Sequence, residues 1–150
     1  PLAILRQDAD FTLLDSQQKR IDFIAETAEL LGLENTHCEA MRAEEAPPEY
    51  REGFDIAVSR AVARLNVLCE LCLPFVRVGG SFVSMKASDC AEEVAEAAKA
   101  IETLGGSAPE IKTYTIPGTD VTRAAVIIKK TAPTPAKYPR RWARISKQPL

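Results

Sequence analysis

The sequence lacks any long apolar run. None of its 150 residues belongs to a stretch approaching the roughly 18 uninterrupted apolar residues of a membrane helix. The first residues also lack the basic and then apolar pattern of a secretory signal peptide. Four cysteines are too few for a disulfide scaffold of this size, and Cys69 and Cys72 have zinc spacing without a second ligand pair. We therefore expect a soluble, cytoplasmic protein that holds no metal and does not enter a membrane.

Acidic residues are absent from the end of the chain. All 21 lie in residues 1–128, where 12 Lys and Arg leave a net charge of −9, whereas seven Lys and Arg give residues 129–150 a charge of +7. An acidic body with a basic end indicates a polyanionic partner contacted mainly by that end, with a solvated tail as the alternative. We divide the chain into a domain at 1–130 and a basic tail at 131–150.

Short apolar runs alternate with helical periods along the domain. Strands are predicted at 11–14, 36–40, 54–59 and 81–85, and helices at 17–31, 65–75 and 91–104. Ser16 is predicted to cap the start of the first of these helices, and Gly32 to end it. This alternation predicts an α/β fold, with a doubly wound sheet covered by helices on both faces.

The last two predicted strands break this alternation. Residues 111–116 and 124–130 both have strand character, but the turn around Pro117 and Gly118 is shorter than the dozen or so residues of a parallel crossover. They are therefore predicted to form an antiparallel hairpin. A mostly parallel sheet with a reversed last strand differs from the usual dinucleotide-binding order. It resembles the Rossmann-like sheet of S-adenosylmethionine-dependent methyltransferases.

The start of the sequence lacks the strand and glycine-rich turn that ordinarily open a doubly wound domain. Residues 1–5 have instead the pattern of a helix with Pro1 in its first turn. A glycine-rich turn lets backbone amides approach a cofactor. We expect that the first strand of the sheet is missing here because the chain is part of a longer polypeptide, in preference to a circularly rearranged fold.

Two residues stand where strands of such a sheet end. Asp15 follows the first predicted strand, where a carboxylate can accept hydrogen bonds from both hydroxyls of a ribose. The alternative is a plain helix cap formed by Asp15 and Ser16. Arg60 follows a run taken as buried, at 54–59, and a guanidinium there needs an anion such as a cofactor carboxylate or an RNA phosphate. An ion pair with Asp55 or another acid is the alternative.

The basic tail combines aromatic and cationic side chains. Flat rings beside cations are the pattern by which proteins bind single-stranded RNA. The candidate RNA-binding residues are Lys137, Tyr138, Arg140, Arg141, Trp142, Arg144 and Lys147, with Lys86 and Arg123 as further candidates. The alternative is that Tyr138 and Trp142 hold the tail against the domain.

Several motifs occur together in one order and spacing. They are PLAI at 1–4, TLLDS at 12–16 with Lys19 and Arg20, RAEE at 42–45, SRA at 59–61, LCLP at 71–74, YPRR at 138–141 and KQPL at 147–150. In this combination the chain closely resembles the bacterial small-subunit ribosomal RNA guanine-N7 methyltransferases, also called glucose-inhibited division protein B.

The resemblance implies S-adenosyl-L-methionine as the cofactor and 16S ribosomal RNA or the small ribosomal subunit as the partner of a monomeric enzyme. It also implies a cofactor pocket, formed by Asp15, Ser16, Gln17, Ala43, Glu44 and Arg60. No catalytic residue is assigned, because guanine N7 loses no proton on methylation and needs no general base. A nucleotide-dependent oxidoreductase and a non-catalytic RNA-binding module remain the alternative functions.

Overall fold

The computed structural model describes residues 1–60 and 62–150, which fall into two units. The first unit is Pro1–Ala46 and the second is Pro47–Leu150. The predicted basic tail, residues 131–150, lies within the second unit. Among the described residues, no helix is both long enough and apolar enough to cross a membrane.

The first unit is built from two strand and helix pairs. Its elements are α1 (Leu2–Leu5), β1 (Phe11–Asp15), α2 (Gln18–Leu30) and β2 (Thr36–Ala40). The two strands pair in parallel, with Asp15 opposite Ala40, so both strands end at the same edge. Both strands and both helices lie where the sequence predicted them, and Gly32, with φ of 62°, follows the end of α2 as expected.

The start of α2 differs from the prediction. Ser16 does not cap it, because Gln17 is the N-cap residue and no side chain forms a cap hydrogen bond there. The Asp15 carboxylate instead accepts the backbone N–H of Gln17, at 2.8 Å from Oδ1. The acceptor at this turn therefore comes from the residue before the predicted one.

The second unit contains a four-stranded sheet in the order β3, β4, β6, β5. Its elements are β3 (Phe54–Arg60), α3 (Leu65–Cys72), β4 (Val76–Ala87), α4 (Ala91–Glu96), α5 (Ala98–Thr103), β5 (Glu110–Thr115), β6 (Thr122–Lys129) and α6 (Trp142–Lys147). Strand β4 is parallel to β3 and antiparallel to β6, and β5 and β6 form an antiparallel hairpin. The predicted α/β class and reversed last strand are confirmed.

The core of the second unit lies between the helices and one face of this sheet. Phe82, Val126 and Ile128 from the sheet are fully buried with Leu65 and Leu68 of α3. Burying such side chains contributes roughly 1.5–3 kcal/mol each.

Strand β3 is not buried as the sequence suggested. It is an edge strand of this sheet, and Ile56 and Val58, which point away from the core face, are 58% and 48% exposed.

The predicted helix at 91–104 is two helices. Ala97, with φ of −81° and ψ of −5°, ends α4 and starts α5 while staying fully buried. A ψ value near zero interrupts the α-helical hydrogen-bond pattern, and no glycine or proline signals the break in the sequence.

The segment after β6 crosses closely over the end of α5. The carbonyl of Gly105 accepts the backbone N–H groups of Thr131 and Ala132, at 2.8 and 3.1 Å. Gly105 has a φ of 84°, and a Cβ atom added there would overlap the Ala132 carbonyl oxygen. This approach requires glycine both for its backbone conformation and for its lack of a side chain.

Candidate cofactor site and RNA-binding surface

Asp15 lies at the carboxyl end of β1 with its carboxylate held in place. Oδ1 accepts the Gln17 N–H at 2.8 Å, and Oδ2 lies 3.2 Å from Nη1 of Arg20. The Gln17 hydrogen bond makes the largest contribution and lowers the pKa of Asp15 below its usual 3.8; burial opposes this shift, and Arg20 lowers the pKa further. The carboxylate is therefore ionised at neutral pH, as an acceptor for hydroxyl groups requires.

A groove of about 510 Å³ opens beside Asp15. Asp15 and Gln17 line it together with residues from the first turns of α2: Lys19, Arg20, Phe23 and Ile24. Ser16 is exposed at the same turn but is not among the lining residues. Two of the three predicted cofactor residues at this turn thus face one groove.

Ala43 and Glu44 lie beyond the end of the neighbouring strand, in a short 3-10 helix at Ala43–Glu45. The Glu44 side chain is only 5% exposed, and its Oε1 has no hydrogen-bond partner among the described residues. The nearest cation, Nη1 of Arg42, is 3.8 Å away. A buried carboxylate oxygen without a hydrogen bond is costly, and a donor on a ligand would remove that cost. Neither Ala43 nor Glu44 is among the residues that line the groove beside Asp15.

The structure brings these five predicted residues to one edge of the β1 and β2 pair. The parallel register places Asp15 beside Ala40, and Ala43 follows three residues later. Ligands of α/β sheets bind at the carboxyl ends of the strands, which is where these residues lie.

Arg60 belongs to the second unit, at the carboxyl end of β3. The alternative ion pair with Asp55 does not form, because Asp55 pairs with Arg77, whose Nη2 lies 2.6 Å from Oδ1. Within residues 1–60 and 62–150, Arg60 has no ion pair. Its guanidinium is exposed and lines a groove of about 510 Å³ together with Met85, Lys86, Ala87, Tyr114, Ile116 and Arg123.

Two of the predicted RNA-binding residues, Tyr138 and Arg140, hold the basic tail at 131–150 against the rest of the second unit. Tyr138 is only 7% exposed. Arg140 donates from Nε to Oε1 of Glu70 at 2.7 Å and from Nη2 to Oε2 at 2.6 Å. Arg51 adds hydrogen bonds to the carbonyls of Tyr138 and Thr134. For Tyr138, the structure therefore favours the alternative in which the aromatic side chain fixes the segment.

The other predicted RNA-binding residues remain on the surface. They are Lys137, Arg141, Trp142, Arg144 and Lys147. Arg144 and Lys147 lie three residues apart in α6 and Arg141 is its N-cap residue, and all three are exposed, while Ile145 of the same helix is buried. Trp142 is 39% exposed beside them. This basic surface is the part of the prediction that stays available to a polyanion.

The cysteine pair of α3 packs in the core of the second unit. Cys69 is fully buried, and burial raises the pKa of the Cys72 thiol to about 12, so both thiols stay protonated at neutral pH. Among residues 1–60 and 62–150, no cluster of three or more His, Cys, Asp or Glu side chains is arranged to hold a metal ion.

Sequence reasoning missed Tyr114 as a neighbour of Arg60 and Arg123. Tyr114 and Arg123 are directly opposite each other in the β5 and β6 hairpin. Their pairing follows from the register of a hairpin closed around Pro117 and Gly118, so aligning the two predicted strands would have found it. No local sequence pattern predicts Glu70 as the partner of Arg140, or Glu52 as the partner of Lys130.

The fold is that of known methyltransferases. The chain superposes on a 16S rRNA (adenine(1408)-N(1))-methyltransferase from Catenulisporales acidiphilia with a TM-score of 0.71 and 12% identity, covering 89% of this chain and 78% of that one. An rRNA methylase from Streptococcus thermophilus gives a TM-score of 0.56 and 18% identity, with 82% and 74% covered. At these identities the likeness defines the fold class alone.

Sequence similarity defines the family. A family model described as GidB, rRNA small subunit methyltransferase G, matches residues 1–121. The chain is 44% identical to ribosomal RNA small subunit methyltransferase G of Clostridium perfringens and 45% identical to that of Alkaliphilus metalliredigens, over all of this chain. It spans 64% of the length of these relatives. The chain belongs to the GidB family of rRNA small subunit methyltransferases, which confirms the resemblance found in its motifs.

Proposed function

We propose that the full-length protein transfers a methyl group from S-adenosyl-L-methionine to N7 of a guanine in 16S ribosomal RNA. The observation that carries this proposal is the edge of the β1 and β2 pair, where ionised Asp15 occurs together with Glu44, whose buried Oε1 accepts no hydrogen bond. Membership of a family described as rRNA small subunit methyltransferase G supports the class of reaction and the RNA substrate.

The residues present fit the nucleoside part of this cofactor. Asp15 accepts hydrogen bonds from the ribose hydroxyls, with Ser16 and Gln17 beside it at the same turn. Ala43 and Glu44 read the edge of the adenine, and a donor on the base gives Glu44 Oε1 the partner it otherwise lacks. Arg60 binds a carboxylate. The cofactor, when bound, supplies a methyl group made electrophilic by its sulfonium.

Methylation of guanine N7 does not require a general acid or a general base from the protein. The lone pair of guanine N7 forms the new N–C bond as the S–C bond breaks, and no proton leaves the base. The protein therefore acts by aligning the two reactants, a contribution that reaches several kcal/mol in well-oriented reactions. This agrees with a site in which no acid and base pair has been assigned.

The basic surface provides the contact with RNA. We assign Lys137, Arg141, Trp142, Arg144 and Lys147 to this contact, since all five are exposed and belong to an end of the chain without acidic residues. A guanine must leave its stack to reach the cofactor, which costs least in single-stranded or looped RNA.

The test is methyl transfer by the full-length protein. We expect label from methyl-labelled S-adenosylmethionine to appear in 16S ribosomal RNA, offered both free and in the small subunit, and to be recovered as 7-methylguanosine after digestion. RNA binding without cofactor binding would contradict the proposal and favour a non-catalytic module. Binding of NAD in place of S-adenosylmethionine would favour an oxidoreductase.

A further inference from the structure

The groove beside Arg60 is positively charged and holds an exposed aromatic ring. Its lining contains three cationic side chains, those of Arg60, Lys86 and Arg123, and no acid. Tyr114, also in the lining, is 39% exposed on edge strand β5. A cationic sulfonium is poorly matched to such a lining, whereas a nucleotide offers both a phosphate and a base.

Lys86 does not supply a free charge to this groove. Its Nζ lies 2.7 Å from Oε1 of Glu93 and donates to the carbonyl of Ala63 at 2.9 Å, and its side chain is only 12% exposed. The earlier suggestion of Lys86 as an RNA contact is therefore not supported by its surroundings. Arg60 and Arg123 are left as the two cations able to meet an anion, and neither has an ion pair within the described part of the chain.

The sheet register fixes how these side chains are arranged. Arg60 pairs with Met85, Ala87 pairs with Arg123, and Arg123 pairs with Tyr114. Tyr114 and Arg123 thus lie side by side on one face of the sheet. Arg60 is on the same face, two strands from Arg123, which puts about 12 Å between the Cα atoms of the two arginines at ordinary strand spacing. The volume of about 510 Å³ between them falls in the range of small-ligand sites.

We propose that this groove receives a nucleotide of single-stranded RNA, with the Tyr114 ring stacked on its base and Arg123 bound to its phosphate. The inference rests on the proposed function and adds an RNA contact apart from the basic surface at 137–147. Tyr114 and Arg123 are therefore positioning residues, which hold the substrate RNA without taking part in the reaction.

The experiment measures RNA binding and methyl transfer by the full-length protein carrying Tyr114→Ala, Tyr114→Phe, Arg123→Ala or Arg123→Lys. Binding uses a fluorescent single-stranded RNA pentanucleotide and, in a separate arm, guanosine monophosphate. We expect Tyr114→Ala to raise the RNA Kd and the KM for ribosomal RNA by at least about fivefold, because base stacking on one ring contributes this much or more. Tyr114→Phe keeps the ring and should stay within about twofold of wild type. Lys112→Ala is the matched control, because Lys112 lies on the same strand and face but outside the groove.

The two arginine variants test the phosphate contact. Arg123→Ala should lower the slope of log Kd against log salt by about 0.7, the value for one single-strand phosphate contact, and Arg123→Lys should restore the slope. Cofactor affinity, measured by calorimetry, should be unchanged in all four variants. Wild-type RNA affinity and KM in Tyr114→Ala would overturn the inference, as would equal losses in Tyr114→Phe and Tyr114→Ala. Stronger binding of free guanosine monophosphate than of the pentanucleotide would also overturn it. Absence of methyl transfer by the wild type would instead count against the proposed function, since RNA binding by the groove is measured independently of it.

Discussion

Glu70 and Arg140 form a buried two-point ion pair between helix α3 and the basic segment 70 residues later in the chain. The Glu70 side chain is 1% exposed and that of Arg140 is 15% exposed. The same carboxylate also accepts the backbone N–H of Arg140 at 2.9 Å. The positive charge of Arg140 is therefore used inside the protein, and deleting the basic segment would leave a buried carboxylate without its partner.

Arg140→Ala is expected to lower the free energy of unfolding by about 3 kcal/mol, because it leaves the Glu70 carboxylate buried and unpaired. Urea unfolding measures the change. Arg141→Ala is the matched control, since Arg141 is exposed, and it should change stability by no more than about 0.5 kcal/mol. Similar losses for the two variants would contradict a special role for the pair.

Removing surface charge tests the RNA contact better than deleting residues 138–150. The double variant Lys137→Gln, Lys147→Gln should weaken RNA binding and lower its salt slope by roughly 1.4, at about 0.7 for each single-strand phosphate contact. Lys99→Gln, Lys112→Gln removes the same charge elsewhere on the surface and should have little effect. RNA titrations at several salt concentrations make the comparison, and equal slopes for both double variants would exclude the basic surface as a contact.

Asp15→Asn is expected to weaken S-adenosylmethionine binding by tenfold or more in the full-length protein, because hydrogen bonds to a charged acceptor contribute about 1.5–3 kcal/mol. The lowered pKa sets the pH dependence. The contribution of Asp15 is complete above about pH 5 and is lost as the pH falls through its pKa, below 3.8. Calorimetry of wild type and variant from about pH 5 to 8 should show a constant difference. Asp22→Asn, which changes an exposed carboxylate of α2, is the control, and unchanged affinity in Asp15→Asn would refute the ribose contact.

Glu44→Ala should affect stability and cofactor binding in different directions. The buried Oε1 accepts no hydrogen bond and its ion pair with Arg42 is long, at 3.8 Å, so the free energy of unfolding without cofactor should be unchanged or higher. The affinity for S-adenosylmethionine should fall, because the partner for the adenine is gone. Denaturant unfolding and calorimetry give the two quantities, with exposed Glu45→Ala as the control. Loss of stability with unchanged affinity would show that Glu44 serves the fold alone.

Lys130 makes part of the stability depend on pH. Its fully buried Nζ donates to the carbonyls of Leu73 and Val76, at 2.8 and 3.1 Å, and to Oγ1 of Thr134 at 2.7 Å, while burial lowers its pKa. Between this lowered pKa and the usual 10.5, the unfolded chain binds more protons than the folded one, so the unfolding free energy should rise with pH.

Lys130→Met should abolish this rise and destabilise the protein by about 2 kcal/mol at neutral pH, because buried carbonyls lose their donor. Unfolding measured from about pH 7 to 10 provides the test. Lys129→Met changes the neighbouring exposed lysine and should leave the pH dependence as in wild type. A rise that persists in Lys130→Met would assign it to another group.

Local patterns in the sequence were enough for most of the fold. The strand at 36–40 and the hairpin that ends the sheet follow from side-chain alternation and a turn too short for a crossover. Patterns of this kind operate over a few residues. Local patterns could not predict the helix break at Ala97 or the exposure of Ile56, because both depend on which elements pack around these residues.

The site was predictable to different degrees. Asp15 and Glu44 follow strands, so their common edge follows from the topology. The docking of the basic tail on the second unit did not follow from the topology. Its partner Glu70 lies in an apolar helix 70 residues earlier in the sequence, and no local feature marks the pair. Charge density alone did not distinguish Arg140, used for folding, from exposed Arg144.

The close crossing at Gly105 has a consequence for the basic surface. The Ala132 carbonyl occupies the space that a methyl group at position 105 would need. Any larger residue at position 105 would displace the backbone at Ala132. This displacement would occur before the chain reaches the exposed cations that follow residue 136. The placement of these exposed cations therefore depends on a residue that itself has neither charge nor side chain.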